Sequence, residues 1–422
     1  MAHKPNADHA RLGLTPGIDQ LASALQASSP IASTRRLSSI PCPSCIYEPD
    51  TETMPTTLVP HPLARACRLL GALALLAAMP QLAAASCGNT ANKMAEILND
   101  KFTADTLVLA HRGLWGKYSG DPAIPENSSR AVLNADVQCM DGVELDVKVT
   151  QDGMPVLSHD FNLGRTTDVY TVVGGAKYNP STNQGANPLV SSLSLANIKR
   201  LHLLTPDRGT VTGWEMYSLD ELFAYWKRNN MQLPLIFDVK SADGVRAVHT
   251  AALKAFPDHP EQVVAMKVNA TLFPHPAAFV GNSKYVHAIP VYTTNMLAKI
   301  DVPASRVEWQ RYAHTLEINV KQDDGLLQGQ KNAARAEGKR IAIFQAIPDG
   351  PGAGEFISNN GSCCYRLSQL YSSYQGKSDT ADHRGDIGFL MSQRFGLITT
   401  DDPKSTMRTL KINGRRISHY AP

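Results

Sequence analysis

Short clusters along the chain gather side chains that move protons, hold cations or bind anions. They are His111-Arg112-Gly113, Pro125-Glu126-Asn127-Ser128, Glu144-Leu145-Asp146, Ser158-His159-Asp160, Gly164-Arg165-Thr166-Thr167, Asp238-Val239-Lys240 and Thr399-Thr400-Asp401-Asp402-Pro403. Glu144 and Asp146 are two residues apart, so on a strand their carboxylates share one face. Such hard oxygen donors suit Mg²⁺ or Ca²⁺ better than a thiolate-seeking metal. A histidine beside an arginine suits proton transfer at an anionic group, and a second histidine follows at position 159. Arg112 and Lys240 add positive charge where an anionic transition state would need it. The plain alternative is that the carboxylates and lysines form salt bridges in a polar barrel mouth. A lone His-Arg-Gly would be a surface histidine before a turn, but these clusters do not stand alone.

The elements that must position them alternate. Strand-like runs read Leu107–His111, Val143–Val149, Leu235–Lys240, Val263–Val268, Val286–Tyr292, Thr315–Val320, Arg340–Ile347 and Leu397–Asp401. Most are continuous apolar runs, as expected for strands buried on both faces. Helices fit between them. Ser218 and Glu221 form a capping box ahead of Leu222, Phe223 and Trp226. Val245, Val248, Ala252 and Phe256 share helical spacing, and Asp324 to Glu337 ends at Gly338. Asn127 or Ser128 would cap a further helix. The pattern predicts an α/β fold, a (β/α)8 barrel, with a doubly wound open sheet as competitor. Asp152-Gly153 between two apolar runs predicts an additional hairpin after the second strand. A two-residue turn would place Asp146 opposite His159, provided no bulge shifts the register.

The clusters resemble those of the glycerophosphodiester phosphodiesterase family, a phosphatidylinositol phospholipase C-like barrel. The likeness runs almost continuously from Leu107 to Thr167, with a longer loop between 113 and 125, and weaker anchors reach Pro403. It implies one divalent cation held by Glu144, Asp146 and Asp238 with Glu126 beside them. It also implies His111 and His159 as acid and base, and Arg112, Lys240 and Lys267 at the phosphate. The implied reaction is hydrolysis of glycerophosphodiesters to glycerol 3-phosphate and an alcohol, begun by the substrate's own neighbouring hydroxyl. There are departures. Asp238 stands where the family usually has Glu, and Asp238-Val-Lys240 is similar to the Asp-x-Lys of spider-venom phospholipase D toxins. Lys267 replaces a Ser-Phe, and Phe344-Gln-Ala-Ile-Pro348 replaces a Trp-Thr-Val-Asn. Glu317 and Asn319 are candidates to face inward. An alternative is therefore phospholipase D-like cleavage of lysophospholipids to a cyclic phosphate. A non-catalytic phosphodiester-binding barrel would require the loss of a histidine or ligand, and all are in place.

Composition bounds the rest. The 422 residues are 43% hydrophobic and 19% charged, with a net charge of +3. Outside a short basic C-terminal tail, Lys and Arg do not cluster, which argues against a nucleic-acid partner. Residues 1–53 lack periodicity and read as a disordered leader or an upstream start. Residues 54–85 have Arg65 and Arg68, an apolar run Leu69–Met79 and Ala83-Ala84-Ala85, which describes a cleaved signal peptide. The barrel domain is then 86–422, periplasmic or secreted, starting near Ser86. The apolar run is too short for a stable membrane span. Export would permit disulfides among Cys87, Cys139, Cys363 and Cys364, with connectivity open. Long loops, Phe161–Leu193 and Pro348–Asp386, should lie at the catalytic face. In the second, Tyr365, Tyr371 and Tyr374 form either an aromatic box for a quaternary ammonium or ordinary packing in a lid.

Overall fold

The structure, a computed structural model, describes residues 87–98, 105–281 and 286–416. The expected signal segment and its cleavage point lie outside these residues. All eight expected strands are present within a few residues of their expected ends: β1 Leu107–His111, β2 Gly142–Val149, β4 Leu235–Val239, β5 Val264–Asn269, β6 His287–Tyr292, β7 Thr315–Ile318, β8 Arg340–Phe344 and β9 Leu397–Thr400. The hairpin strand β3 is Pro155–Leu157. Neighbouring barrel strands are parallel. β1 pairs with both β2 and β9 (Leu109 with Gly142, Leu107 with Leu397), which closes the sheet into a barrel.

Closure sorts each strand by period two. Odd positions of β1 point inward: Leu107 and Leu109 join Ile236, Ala265, Ile289, Ala342 and Leu397 in an apolar plug at the N-terminal end. Even positions Val108 and Ala110 pack outward against the helices. A short helix, α1 (Thr90–Ile97), stoppers this end with Met94 and Ile97, both almost fully buried. No reading of the sequence isolated it, because eight residues carry too little periodicity. Gly142 is required here: a Cβ would lie 2.8 Å from Leu109 Cδ2 and 3.2 Å from Ile97 Cδ1.

The outer helices follow their sequence signals. α2 (Ser129–Val137) is capped by Ser128, whose Oγ accepts from Ala131 N at 3.1 Å. α3 (Leu219–Arg228) starts at the Ser218–Glu221 capping box, and α4 spans Ala242–Ala255. α5 is Val302–Tyr312. α6 begins at Gln328 rather than near Asp324, because Asp324 is left-handed (φ +55°) and the chain turns there first. α7 (Pro403–Ile412) closes the ring, and Arg416 of the basic tail is buried against Asp141 at 2.7 Å. Among the described residues no helix is long and apolar enough to cross a membrane.

The hairpin forms, but its register differs from expectation. Lys148 faces Val156, and Ser158 N donates to Asp146 O at 3.0 Å, so Asp146 faces Ser158 and not His159. The turn takes three residues, since Thr150 N donates to Met154 O at 2.9 Å and Gly153 takes φ +80° to close it. A one-residue slip would send His159 to the other face. Regular pairing stops at Leu157, and the bend after it carries the ring back to the site.

Among the described residues two disulfides are present, Cys87–Cys139 and Cys363–Cys364. The first ties the entry to α1 to the loop after α2 across 52 residues. Closing a loop of that length restricts the unfolded chain and contributes about 2–4 kcal/mol. Cys139→Ser should lower unfolding stability by about that much in denaturant titrations. The difference from wild type should vanish when both proteins are fully reduced.

Candidate active site

Continuing inward positions towards the C-terminal ends replaces the apolar plug with polar groups. Leu109 gives way to His111, Ile236 to Asp238, Ala265 to Lys267, and Leu397 to Thr399 and Asp401, while Glu144 and Asp146 rise from β2. A cavity of about 320 Å³ opens at this end, the face where such barrels carry their chemistry. Every sequence-assigned side chain except Glu126 lines it.

The carboxylates crowd. Register sets Asp146 directly beside Asp238, and Lys240 Nζ lies 3.6 Å from Asp146 Oδ1 and 3.4 Å from Asp238 Oδ2. His111, Glu144 and Asp146 each offer a ligand atom, all within 4.8 Å of one another. Burial, and then the Asp146 charge beside it, push the Glu144 carboxyl up to about 7. Burial also opposes the Asp146 charge, but His159, Lys240, Lys148 and Arg112 outweigh it and hold that carboxyl well below the usual range. Among the described residues the one hydrogen bond to the Glu144 carboxylate is a long one, from Arg112 N at 3.4 Å. An under-satisfied buried carboxylate beside a second, with a third on the next strand, is the donor set a hard divalent cation fits. Lys267 is already committed: its Nζ lies 2.7 Å from Glu317 Oε2 and donates to Thr399 Oγ1 at 2.7 Å. Glu317 and Asn319 do face inward, and Asn319 Nδ2 donates to Glu317 Oε1 at 2.9 Å.

Both histidines are anchored alike. His111 Nδ1 lies 2.8 Å from Asp401 Oδ1, and His159 Nδ1 lies 2.7 Å from Asp160 Oδ1. A carboxylate on Nδ1 fixes the ring and leaves Nε2 for a reactant. Burial opposes charge on both rings. At His111 the Asp401 carboxylate overcomes it and raises the pKa, whereas at His159 burial together with Arg112 lowers it.

Glu126 is not where a cation ligand would be. Arg165 Nη2 takes its Oε1 at 2.5 Å and Arg112 Nη1 its Oε2 at 3.1 Å, so both oxygens are spent on guanidinium groups. Arg165 Nε also holds Asp160 Oδ2 at 2.5 Å. The chain Arg112–Glu126–Arg165–Asp160–His159 thus locks Arg112 and one histidine into a single buried unit. Arg112 holds its place with left-handed backbone (φ +56°). Asn127, also left-handed, brackets Asp146, donating from Nδ2 to Oδ2 at 3.2 Å and accepting from Asp146 N at 3.0 Å. Asp401, Asp160, Asn127 and Arg165 stood inside quoted clusters without these roles. Asp349, 3.4 Å from Arg112 Nη1, carried no signal.

The two long loops meet over the site. Phe161 N donates to Asn359 O at 2.8 Å and Cys363 N to Pro180 O at 2.9 Å. Phe356, Ile357 and Tyr365 form an apolar wall of the cavity, with Tyr365 stacked on Phe356 at 5.6 Å. The three tyrosines do not make one box: Tyr374 lies at a separate cavity beside α5 and α6, and Tyr371 is exposed. Arg165→Met would leave Asp160 and Glu126 buried without their main cation. Unfolding stability should fall by roughly 3–5 kcal/mol, read from the denaturant midpoint.

Comparison with known proteins agrees with this geometry. Residues 111–277 match the model of the glycerophosphoryl diester phosphodiesterase family. The chain is 44% identical over 61 residues to glycerophosphodiester phosphodiesterase 1 of Homo sapiens, covering 14% of this chain and 17% of the relative. It is 40% identical over 73 residues to a glycerophosphodiester phosphodiesterase of Bacillus altitudinis, covering 17% and 27%. The chain therefore spans only about a sixth to a quarter of the length of these curated relatives. A crystal structure of a putative glycerophosphoryl diester phosphodiesterase from Silicibacter pomeroyi shares the fold, with a TM-score of 0.51 at 17% identity over 77% of this chain and 98% of that one. The likeness to the glycerophosphoryl diester phosphodiesterase family thus rests on residues 111–277.

Proposed function

We propose that the protein is a metal-dependent phosphodiesterase that hydrolyses glycerophosphodiesters to glycerol 3-phosphate and an alcohol. The observation that carries this is two histidines, each anchored through Nδ1, lining one cavity with the crowded pair Glu144 and Asp146. Glu144, Asp146 and Asp238 would hold one divalent cation, Mg²⁺ or Ca²⁺, which when bound polarises a phosphoryl oxygen. Arg112 and Lys240 would hold the remaining phosphate charge, with Lys267 supporting Glu317 and Thr399 below them.

The proton work falls to the histidines. One Nε2 takes the proton of the glycerol hydroxyl next to the phosphate, whose oxygen then attacks phosphorus. The phosphorus–oxygen bond to the alcohol breaks as the other imidazole protonates the departing oxygen, leaving a cyclic phosphate. In the second half the roles reverse: water loses a proton, attacks phosphorus, and the ring oxygen is reprotonated. A tethered hydroxyl is already near its target, an advantage of roughly 7–11 kcal/mol when well oriented. Removing either base, His111→Ala or His159→Ala, should lower kcat about 10²-fold or more with the fold intact by circular dichroism. A variant that loses only affinity would instead mark that histidine as a binding residue.

Chelation should abolish turnover and Mg²⁺ or Ca²⁺ restore it. Calorimetric binding of the ion should be lost in Glu144→Ala, and full turnover of that variant without metal would overturn the ligand assignment. A second reading, cleavage of lysophospholipids to a cyclic phosphate, is favoured by the Asp238–Lys240 pair and the apolar wall of Phe356 and Ile357. The end product separates the two. We also propose that the protein acts outside the cytoplasm; the two disulfides support this, because such bonds persist in oxidising compartments.

A further inference from the structure

Arg208 has no part in that chemistry, yet it is half-buried and unsatisfied. It sits at the turn between the ribbon strands His202–Leu204 and Val211–Glu215, with left-handed backbone (φ +62°). The turn is held firmly: Arg208 N donates to Thr205 O at 2.6 Å, Gly209 N donates to Asp207 Oδ1 at 2.9 Å, and Lys177 Nζ donates to Arg208 O. The guanidinium itself makes no hydrogen bond and no ion pair among the described residues, and its Nε is buried without a partner. The cations of the catalytic cavity differ: Arg112, Lys240 and Lys267 each have a carboxylate partner, as does Arg165 behind them. A desolvated guanidinium without an acceptor is unfavourable, and an anion would satisfy it.

The space it faces suits one. Arg208 lines a second cavity, about 280 Å³, that adjoins the catalytic one: Ile347, Asp349 and Asp401 line both. Trp115 and Tyr118 supply ring walls that would cover carbon atoms of an entering group. Four carboxylates also line it, but each already has donors. Glu126 is held by Arg165 and Arg112, Asp401 by His111, Asp349 by Arg112 and Ile357 N, and Asp207 by Thr205 Oγ1 and Gly209 N. Of the cations that line this cavity without a carboxylate partner among the described residues, Lys117 is exposed with its Nζ over the Tyr118 ring, and Arg208 is the half-buried one.

We propose that this cavity receives the alcohol arm of the phosphodiester, and that Arg208 selects arms carrying a second anionic group, a phosphate or a carboxylate. The inference rests on the phosphodiesterase reading and deepens it. With the reacting phosphate between His111 and His159, one ester arm passes Asp401 and Asp349 into the second cavity. A planar guanidinium then offers a two-point contact to phosphate or carboxylate oxygens.

The test compares bis(glycerophospho)glycerol, whose arm carries a second phosphate, with glycerophosphocholine, whose arm is cationic. In Arg208→Met the ratio of kcat/KM for the first substrate over the second should fall at least tenfold, chiefly through KM for the anionic substrate. Arg208→Lys should recover part of the ratio. The Tm should not drop, since the guanidinium has no partner to lose. An unchanged ratio would overturn the proposal, as would equal losses on both substrates accompanied by a lower Tm, which is the mark of a residue that merely props the turn. If wild type hydrolyses neither compound, the phosphodiesterase reading itself fails and takes the inference with it.

Discussion

Crowded negative charge governs the architecture at the open end of this barrel. Glu144 and Asp146 share a strand face, and parallel register sets Asp238 beside Asp146, so three carboxylates converge, the first two buried and the third partly so. Two unit charges some 4 Å apart repel by about 4 kcal/mol at the effective dielectric of a protein site. Such a cluster survives only when positive charge surrounds it. Lys240 lies between Asp146 and Asp238, and Arg112 approaches Asp146 from the neighbouring strand end at 3.6 Å. Arg112 in turn needs a fixed position, which Glu126, Arg165 and Asp160 provide, and the last of these also anchors His159. Charge balance and the orientation of the His159 ring are therefore one network.

The other end of the barrel makes this tolerable. Strands β1, β4, β5 and β9 each lift a polar group to the site and send apolar side chains into the plug below, which α1 seals with Met94 and Ile97. Polar and apolar halves are stacked along one axis because a strand alternates faces while the barrel wraps only one of them inward. The site stands on a dry, close-packed base, so the crowded groups have little room to relax apart.

The sequence revealed most of this wherever a period or a spacing carried the information. Eight apolar runs separated by capped helices read as a barrel because burial on both faces leaves a continuous hydrophobic signature. The site clusters read because strand ends are where such a barrel exposes polar groups. What stayed hidden depended on contacts between distant segments. That Asp401 anchors His111 follows from barrel closure, which puts the end of β9 beside the end of β1. That Glu126 serves arginines rather than a cation depends on Arg165, 39 residues later. The hairpin register turned on a single residue at Gly153, a matter of local turn geometry that Asp-Gly alone leaves open between two- and three-residue forms.

Chemistry and selectivity are consequently written in different parts of the chain. The groups that would surround a reacting phosphate come from strand ends, where charge balance constrains each to its neighbours: replacing one strands a buried partner. The groups that would meet the alcohol, Phe356, Ile357 and Tyr365 on one side and Trp115, Tyr118 and Arg208 on the other, come from loops and answer to no such balance. Those loops hold one another through backbone hydrogen bonds, from Phe161 to Asn359 and from Cys363 to Pro180, which do not depend on side-chain identity. Apart from Trp115, whose Nε1 donates to His111 O at 3.0 Å, their side chains can change without disturbing either the roof or the charged network beneath. The clusters between Leu107 and Thr167 that resemble the glycerophosphodiester phosphodiesterase family lie in the charged network, whereas among the departures Lys267 and Phe344 stand on strands β5 and β8 and only the segments beyond belong to these loops.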